Sequence, residues 1–170
     1  MKKNISQNFK DELTHIAEQI VSSIIYKCKL QGIQEVKNWE SHLETDFSQD
    51  VPVSNDSYYI DFGSRATSKF MHIMQAMYPD YNIIDSGHYY YPKTGYMGWH
   101  TNSNKPCKRV YITYTDGQSF FRYKQGNDII TDYDDIGITV REFDIPALPD
   151  KLWHCVGSYA NRFSFGFRLE

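Results

Sequence analysis

The chain has 170 residues with a formal net charge of −3, and 14 Tyr and 10 Phe make it rich in aromatic side chains. This length suits a single domain with its own core, predicted over residues 1–170, and the lack of a basic block argues against a general nucleic-acid-binding surface. No apolar run approaches membrane-spanning length, no signal peptide is evident and the three widely spaced cysteines form no disulfide or zinc pattern, so we expect a soluble cytoplasmic protein.

Two helices are predicted in the first part of the chain. Apolar residues recur at three- and four-residue steps over residues 7–29, which is typical of an amphipathic helix. A second helix is predicted in the segment SRATSKFMHIMQAMYP, residues 64–79, where Ser64 can cap the start and Pro79 ends the helix. The polar residues 37–57 carry Asp, Asn and Pro side chains typical of turns and predict mostly loop.

From Tyr81 onward the sequence changes to short segments rich in Val, Ile, Tyr and Phe that are separated by turn residues. Eight such segments, spread over about 90 residues, favour a β-sandwich or barrel. The predicted fold is therefore mainly β with flanking α. It is a jelly roll (double-stranded β-helix) of about eight strands over residues 81–170, supported by two N-terminal helices within residues 1–80.

Two of the six histidines have distinctive settings. His100 follows Gly98-Trp99 on a predicted strand, and alternation along that strand places residues 98, 100 and 102 on one face. His100 and Asn102 then point the same way and can reach one cation. His154 stands in the apolar strand LWHCVG, where a buried imidazole needs a polar partner, either a metal or a hydrogen bond. Each histidine alone is also compatible with a purely structural role.

The C-terminal strand RFSFGFRL alternates between two kinds of side chain. Residues 163, 165 and 167 are all Phe and should face a core, whereas Arg162, Ser164, Gly166 and Arg168 share the other face. If that second face is exposed to solvent, it is an ordinary polar surface. If it faces the interior of the barrel, buried guanidinium groups need anionic partners, and a dicarboxylate ligand held by Arg and Ser would meet that need.

The set His100-Thr-Asn102, His154 and Arg162-Phe-Ser164 resembles the 2-oxoglutarate/Fe(II)-dependent dioxygenase superfamily, in which His-x-carboxylate, a distal His and Arg-x-Ser occur on a small β-fold. The resemblance covers about residues 85–169 and implies Fe(II) and 2-oxoglutarate as cofactors. It implies that His100 and His154 bind iron, with Asn102 at the position of the carboxylate ligand. It also implies that Arg162 and Ser164 hold the far carboxylate of 2-oxoglutarate.

Looser features resemble two branches of this superfamily. Arg168, six residues after Arg162, matches the pair of arginines in AlkB-type nucleic-acid demethylases. Tyr91 stands nine residues before His100, where those enzymes have a tyrosine on the cosubstrate, and Tyr89 shares its face. A general likeness to small prolyl-hydroxylase-like oxygenases of phage and bacterial origin is also present. The first likeness implies cosubstrate-binding roles for Arg168, Tyr91 and Tyr89.

Asn102 leaves three functions open. In the first, its amide oxygen binds the metal and the protein hydroxylates an unidentified small molecule, peptide or nucleotide. In the second, the metal site is weakened or lost, and the jelly roll is a non-catalytic binding or structural module. In the third, an anion such as chloride takes the vacant position, as in the halogenases of the family. Asp61, Asp85 and Asp116 are candidates for a remote carboxylate that replaces the missing ligand.

Overall fold

The computed structural model describes residues 1–44 and 56–170. Its helices are α1 (Gln7–Leu30), α2 (Ser64–Thr67) and α3 (Met71–Met77), with short 3-10 helices at Trp39–Leu43 and Ser68–Phe70. Its strands are β1 (Ser57–Tyr58), β2 (Ile60–Asp61), β3 (Ile83–Tyr91), β4 (Tyr96–His100), β5 (Cys107–Thr115), β6 (Ser119–Gln125), β7 (Asp128–Tyr133), β8 (Gly137–Ile145), β9 (His154–Ser158) and β10 (Arg162–Leu169).

The helices follow the predicted pattern with one interruption. Helix α1 matches its predicted bounds to within one residue, and the Ser6 hydroxyl caps it by accepting a hydrogen bond from the Phe9 backbone N–H at 3.3 Å. The second predicted helix is divided into α2, a 3-10 turn and α3, and it ends before Pro79 as expected. Ser64 is its first helical residue rather than its cap, because Gly63 holds the cap position with a φ of +83°, which glycine adopts without strain.

Ten strands form two five-stranded antiparallel sheets in the described part of the chain. The major sheet has the strand order β2-β3-β10-β5-β8, and the minor sheet has the order β1-β4-β9-β6-β7. The eight predicted strands correspond to β3 through β10, so the predicted jelly roll with helical support is confirmed. The two-residue strands β1 and β2 were not predicted, and they extend the sheets by pairing with β4 and β3.

The outer face of the major sheet packs against the helices. Phe163, Phe165 and Phe167 project from β10 into a buried cluster with side chains of α1 and α3, and each is at most 1% exposed. Burial of an aromatic side chain of this size contributes about 1.5–3 kcal/mol, so this face fixes the orientation of β10. The alternate side chains of β10 therefore face inward, between the two sheets. Of the two orientations considered for this face, solvent and the interior of the barrel, the structure has the second.

The segment predicted as loop, residues 37–57, is described only in part, because residues 45–55 lie outside the described residues. Trp39 and Leu43, in its described part, are buried against Tyr96 and Trp99 on the minor sheet. The Trp99 Nε1–H donates a hydrogen bond to the Leu43 carbonyl oxygen at 3.0 Å. This contact anchors β4 one residue before His100.

The three cysteines are free thiols. Cys28 and Cys155 are buried, and burial raises the pKa of both thiols, that of Cys155 to about 12. Both thiols therefore stay protonated and poorly nucleophilic at neutral pH. Among residues 1–44 and 56–170, no helix combines the length and the hydrophobicity needed to span a membrane.

Candidate functional site

His100 and His154 lie opposite each other on neighbouring strands of the minor sheet. His100 ends β4, His154 begins β9, and the two residues are register partners in this antiparallel pair. Directly opposed residues project their side chains to the same face, and the two imidazole centroids are 4.1 Å apart. His154 is only 2% exposed, and His100 is half-buried. Strand pairing thus brings together two histidines that are far apart in the sequence.

Both histidines are neutral and present the same ring nitrogen. His100 Nδ1 lies 2.8 Å from the Gly98 carbonyl oxygen, and His154 Nδ1 lies 2.9 Å from that of Leu152. A carbonyl oxygen can only accept, so each Nδ1 carries the proton and each Nε2 keeps a lone pair. Burial lowers the pKa of both rings, and the positive charge of Arg109 lowers both further. Neutral imidazole with a free Nε2 is the form that binds metals.

Asn102 reaches the histidine pair by a different route from the predicted one. Strand β4 ends at His100, and Asn102 has a left-handed φ of +57°, so the expected alternation of residues 98, 100 and 102 along one strand is wrong. The chain turns here because the Asn102 carbonyl oxygen accepts a hydrogen bond from the Lys105 N–H at 3.0 Å, and asparagine tolerates this conformation. The turn brings Asn102 Nδ2 to 3.2 Å from His154 Nε2.

Arg162 is buried between the sheets and is incompletely paired. Its Nε donates to Asp134 Oδ2 at 2.9 Å, and its Nη2 donates to Thr113 Oγ1 at 3.2 Å. Its Nη1 is buried and has no hydrogen-bond partner among the described residues. The guanidinium also lies over the ring of Tyr91, 5.2 Å from its centroid. One N–H group of Arg162 therefore remains available to an acceptor that this part of the chain does not supply.

The partner of Arg162 is a carboxylate that sequence reasoning missed. Asp134 follows β7 and accepts hydrogen bonds from Arg162, from Arg141 Nη1 and, at 2.5 Å, from Ser119 Oγ. Burial alone would raise the pKa of the Asp134 carboxyl, but the charges of Arg162 and Arg141 and the Ser119 hydrogen bond lower that pKa to about 2. Asp134 is thus a fixed negative charge that orients two buried arginines.

Two adjoining spaces surround these side chains. The inner cavity, with a volume of about 30 Å³, is lined by residues of both sheets, among them Tyr91, Thr113, Arg141, His154, Arg162 and Ser164. The outer pocket, with a volume of about 370 Å³, is lined by residues that include Ser57, Tyr59, Ser86, Asn102 and Arg109. Both spaces share four lining residues: Tyr89, Met97, His100 and Tyr111. His100 therefore lies where the two spaces adjoin.

The structure brings most of the sequence-predicted site residues to these two spaces, with the exception of Arg168. Arg168 lines neither space, and its Nη2 lies 3.3 Å from Glu170 Oε1 near the end of β10. The three candidate remote carboxylates also lie elsewhere. Asp61 contacts His88, Asp85 lies 3.9 Å from the same imidazole, and Asp116 binds Asn161. In the part of the chain that the structure describes, no group of three His, Cys, Asp or Glu side chains is arranged to hold a metal.

Arg109 and Arg141 are two further site residues that sequence reasoning did not select. Both are inward-facing positions of major-sheet strands, β5 for Arg109 and β8 for Arg141. The sequence pattern that indicates this orientation is alternation: Val110 and Val140, the neighbours of these arginines, face the helix-covered core. Alternation therefore places Arg109 and Arg141 on the side of each strand that points away from this core, as it does for Arg162.

No protein-family model and no curated protein matches this sequence. Among solved structures, a prolyl-4-hydroxylase from Pseudomonas putida is similar over 100% of this chain and 91% of its own, with 10% identity and a TM-score of 0.52. A 2OG-Fe(II) oxygenase family protein from Burkholderia pseudomallei is similar over 64% of this chain and 52% of its own, with 14% identity and a TM-score of 0.40. A cupin domain from Bordetella pertussis is similar over 53% and 91%, with 16% identity and a TM-score of 0.31.

The likeness to the prolyl-4-hydroxylase extends over both chains almost completely, so the two proteins share a fold. At 10% identity it shows nothing beyond the fold. The other two likenesses score below 0.5 and carry no weight. A function must therefore be argued from the side chains of the site.

Proposed function

We propose that this protein is a 2-oxoglutarate/Fe(II)-dependent oxygenase that hydroxylates a substrate bound in the outer pocket. One observation carries the proposal: a neutral histidine pair and an incompletely paired, buried arginine converge on one inner cavity. His100 and His154 are proposed to bind the metal, and Arg162 the cosubstrate. The fold that this chain shares with a prolyl-4-hydroxylase is consistent with this proposal.

The histidine pair suits a divalent transition metal. Each imidazole is fixed by an Nδ1–H bond to a backbone carbonyl, which is how metal-binding histidines are usually held. Asn102 would supply an amide oxygen as third ligand once its amide group turns, because Nδ2 and not Oδ1 now faces His154. When bound, Fe(II) and 2-oxoglutarate supply the O₂ activation that hydroxylation requires.

The inner cavity suits a carboxylate group. Arg162 Nη1 offers an unused donor, and the Ser164 hydroxyl lines the same space. The volume of about 30 Å³ accommodates about two water molecules, so it holds one carboxylate but not a whole five-carbon diacid. The remainder of 2-oxoglutarate must extend past Tyr111 and His100 toward the outer pocket. Asp134 holds the Nε edge of Arg162, which leaves Nη1 as the donor for this carboxylate.

Asn102 makes this site more positive than a site with a carboxylate ligand. An amide oxygen is neutral, so the three proposed ligands carry no negative charge and should bind the metal less tightly. The halogenase alternative needs an open position beside His154 for an exogenous anion. The Asn102 amide lies in that region, 3.2 Å from His154 Nε2, and this geometry favours the oxygenase over the halogenase.

The metal site is tested by adding Fe(II) and 2-oxoglutarate without O₂ and recording the weak metal-to-ligand charge-transfer absorption. The wild type should develop the band, and His100→Ala should not. His88→Ala is the matched control, because His88 contacts Asp61 and lines neither space. If the wild type develops no band, or His100→Ala retains it, the proposed metal site is wrong.

The cosubstrate site is tested by the affinity of the iron-loaded protein for 2-oxoglutarate. Arg162→Gln should weaken that affinity at least tenfold, because a hydrogen bond to a charged group contributes about 1.5–3 kcal/mol. Arg168→Gln is the matched control, since Arg168 comes from the same strand but lines neither space. Equal losses in the two variants would contradict the assignment of Arg162.

The second candidate function is a non-catalytic jelly-roll module. The observation in its favour is that the Asn102 amide donates to His154 Nε2 and thereby satisfies that lone pair without a metal. This function predicts that neither Fe(II) nor 2-oxoglutarate raises the melting temperature. A metal-binding site should instead stabilise the protein by about 2.7 kcal/mol at a hundredfold excess of ligand over Kd, so a thermal shift separates the two functions.

A further inference from the structure

The outer pocket contains a buried positive charge that the proposed cosubstrate site does not use. Arg109, on β5, is 6% exposed, and its Nε has no hydrogen-bond partner among residues 1–44 and 56–170. Its Nη1 lies 3.5 Å from Ser86 Oγ, at the outer limit of a hydrogen bond. Arg109 also forms a side-chain hydrogen bond with Tyr111, so two neutral hydroxyls hold the guanidinium in place, and neither supplies a negative charge.

The other two buried arginines differ from Arg109 in their partners. Arg141 and Arg162 both pair with the carboxylate of Asp134. No carboxylate of the described residues forms an ion pair with Arg109, and the described lining of the outer pocket contains no Asp or Glu. Burial of a charge without a partner is strongly unfavourable. An anion from a bound molecule would complete this environment.

The position of Arg109 separates it from the cosubstrate carboxylate. Arg109, Tyr111 and Thr113 are successive inward-facing residues of β5, and Thr113 accepts a hydrogen bond from Arg162. Four residues of extended strand span about 13 Å. Arg162 thus serves the inner end of the site and Arg109 the outer end, with Tyr111 between them.

We infer that Arg109 binds an oxyanion, a carboxylate or a phosphate, of the molecule that is oxidised, so that the substrate is a small anionic compound. The inference rests on the proposed function. The outer pocket has a volume of about 370 Å³, which is the size of small-molecule sites. Its walls combine the rings of Tyr59 and Tyr89, whose centroids are 4.8 Å apart, with the hydroxyls of Ser57 and Ser86. These walls suit a compound with a flat or apolar body beside its anionic group.

The experiment observes the arginine Nε–H groups directly. The chain has six arginines, so protein labelled with ¹⁵N-arginine gives at most six side-chain Nε signals, and the signal lost in Arg109→Gln is that of Arg109. Sodium acetate, sodium phosphate and 2-oxoglutarate are titrated separately at constant ionic strength. We expect acetate or phosphate to shift the Arg109 signal saturably, and 2-oxoglutarate to shift that of Arg162 instead. The responding anion identifies the carboxylate or the phosphate as the recognised group.

Two variants complete the test. Arg109→Gln should weaken binding of the responding anion at least tenfold, whereas Arg122→Gln, whose Nε donates to Thr131, should leave it unchanged. Unchanged signals of the other arginines in Arg109→Gln verify its fold, and Arg109→Lys should retain part of the anion affinity because it keeps the charge.

The inference is overturned if neither acetate nor phosphate moves the Arg109 signal. It is also overturned if Arg109→Gln loses the charge-transfer band with Fe(II) and 2-oxoglutarate, because Arg109 would then serve the cosubstrate. The wild type could also form no charge-transfer band and still bind acetate or phosphate through Arg109. That result would overturn the proposed function and the inference that the anion belongs to a substrate, and it would show an anion site only.

Discussion

Replacement of Asp134 by Asn removes one negative charge that faces two guanidinium groups between the sheets. Arg141 and Arg162 are 1% and 2% exposed, so their charges would remain in a region that water does not reach. Removal of one partner of a buried ion pair typically costs about 3–5 kcal/mol. The pKa of Asp134, lowered from 3.8 to about 2, corresponds to about 2 kcal/mol of the same interaction. We therefore expect Asp134→Asn to lower the free energy of unfolding by about 2–5 kcal/mol.

The loss should also depend on pH in a defined direction. Because the folded-state pKa of Asp134 lies below its ordinary value, its contribution is complete above about pH 4 and is lost as the pH falls toward 2. Urea denaturation of the wild type and of Asp134→Asn at pH 7, 4 and 3 measures both effects. Asp132→Asn is the matched control, because Asp132 binds the same Arg141 but its side chain is 21% exposed. A loss below about 1 kcal/mol at pH 7, or one equal to that of Asp132→Asn, would refute the reasoning.

Three further changes have expected outcomes. Asn102→Asp should tighten Mn(II) binding at least tenfold by calorimetry, because it adds a negative ligand beside His154; unchanged affinity would exclude residue 102 from the metal site. Gly166→Ala should lower the free energy of unfolding by about 1–3 kcal/mol and weaken 2-oxoglutarate binding, because the new Cβ would lie 2.7 Å from Tyr111 Cε1. A variant that binds 2-oxoglutarate as tightly as the wild type would contradict this prediction. The free energy of unfolding of the metal-free protein should fall as the pH drops below 6.5, by up to about 1.4 kcal/mol per pH unit for each histidine. The reason is that the unfolded chain binds protons that buried His100 and His154 do not bind. In urea denaturation, His154→Phe should show a shallower pH dependence than the wild type.

Most strands were predictable because they alternate apolar and polar side chains between clear turn residues, and β9 was predictable as a short apolar segment after a turn. The phenylalanines of β10 already indicate which side faces a core, and alternation along the same strand places Arg162 on the other side. The same pattern could not tell whether the polar side of β8 faces water or the space between the sheets. That depends on contacts with β6 and β10, which are distant in the sequence, so Arg141 and its partner Asp134 were not identified.

The periodicity of the sequence also did not predict the local structure at two points near the site. Asn102 was assigned to a strand, but its turn is fixed by a backbone hydrogen bond from Lys105, which periodicity does not reveal. Trp39 and Leu43 lie in a polar segment and are nevertheless buried against the minor sheet, because two isolated apolar side chains give no periodic signal. The two histidines do lie face to face, because His100 and His154 are register partners of β4 and β9.

The location of Asp134 also has a consequence for the order of folding events. It lies in the connection between β7, at the edge of the minor sheet, and β8, at the edge of the major sheet, and it binds side chains from β6, β8 and β10. This junction can form only after both sheets are assembled, so its bonds should be largely absent from the transition state. Asp134→Asn should then accelerate unfolding while leaving the refolding rate almost unchanged. In the wild type, the hydrogen bonds of the Asp134 carboxylate would form after the folding transition state and lengthen the lifetime of the native state by slowing unfolding.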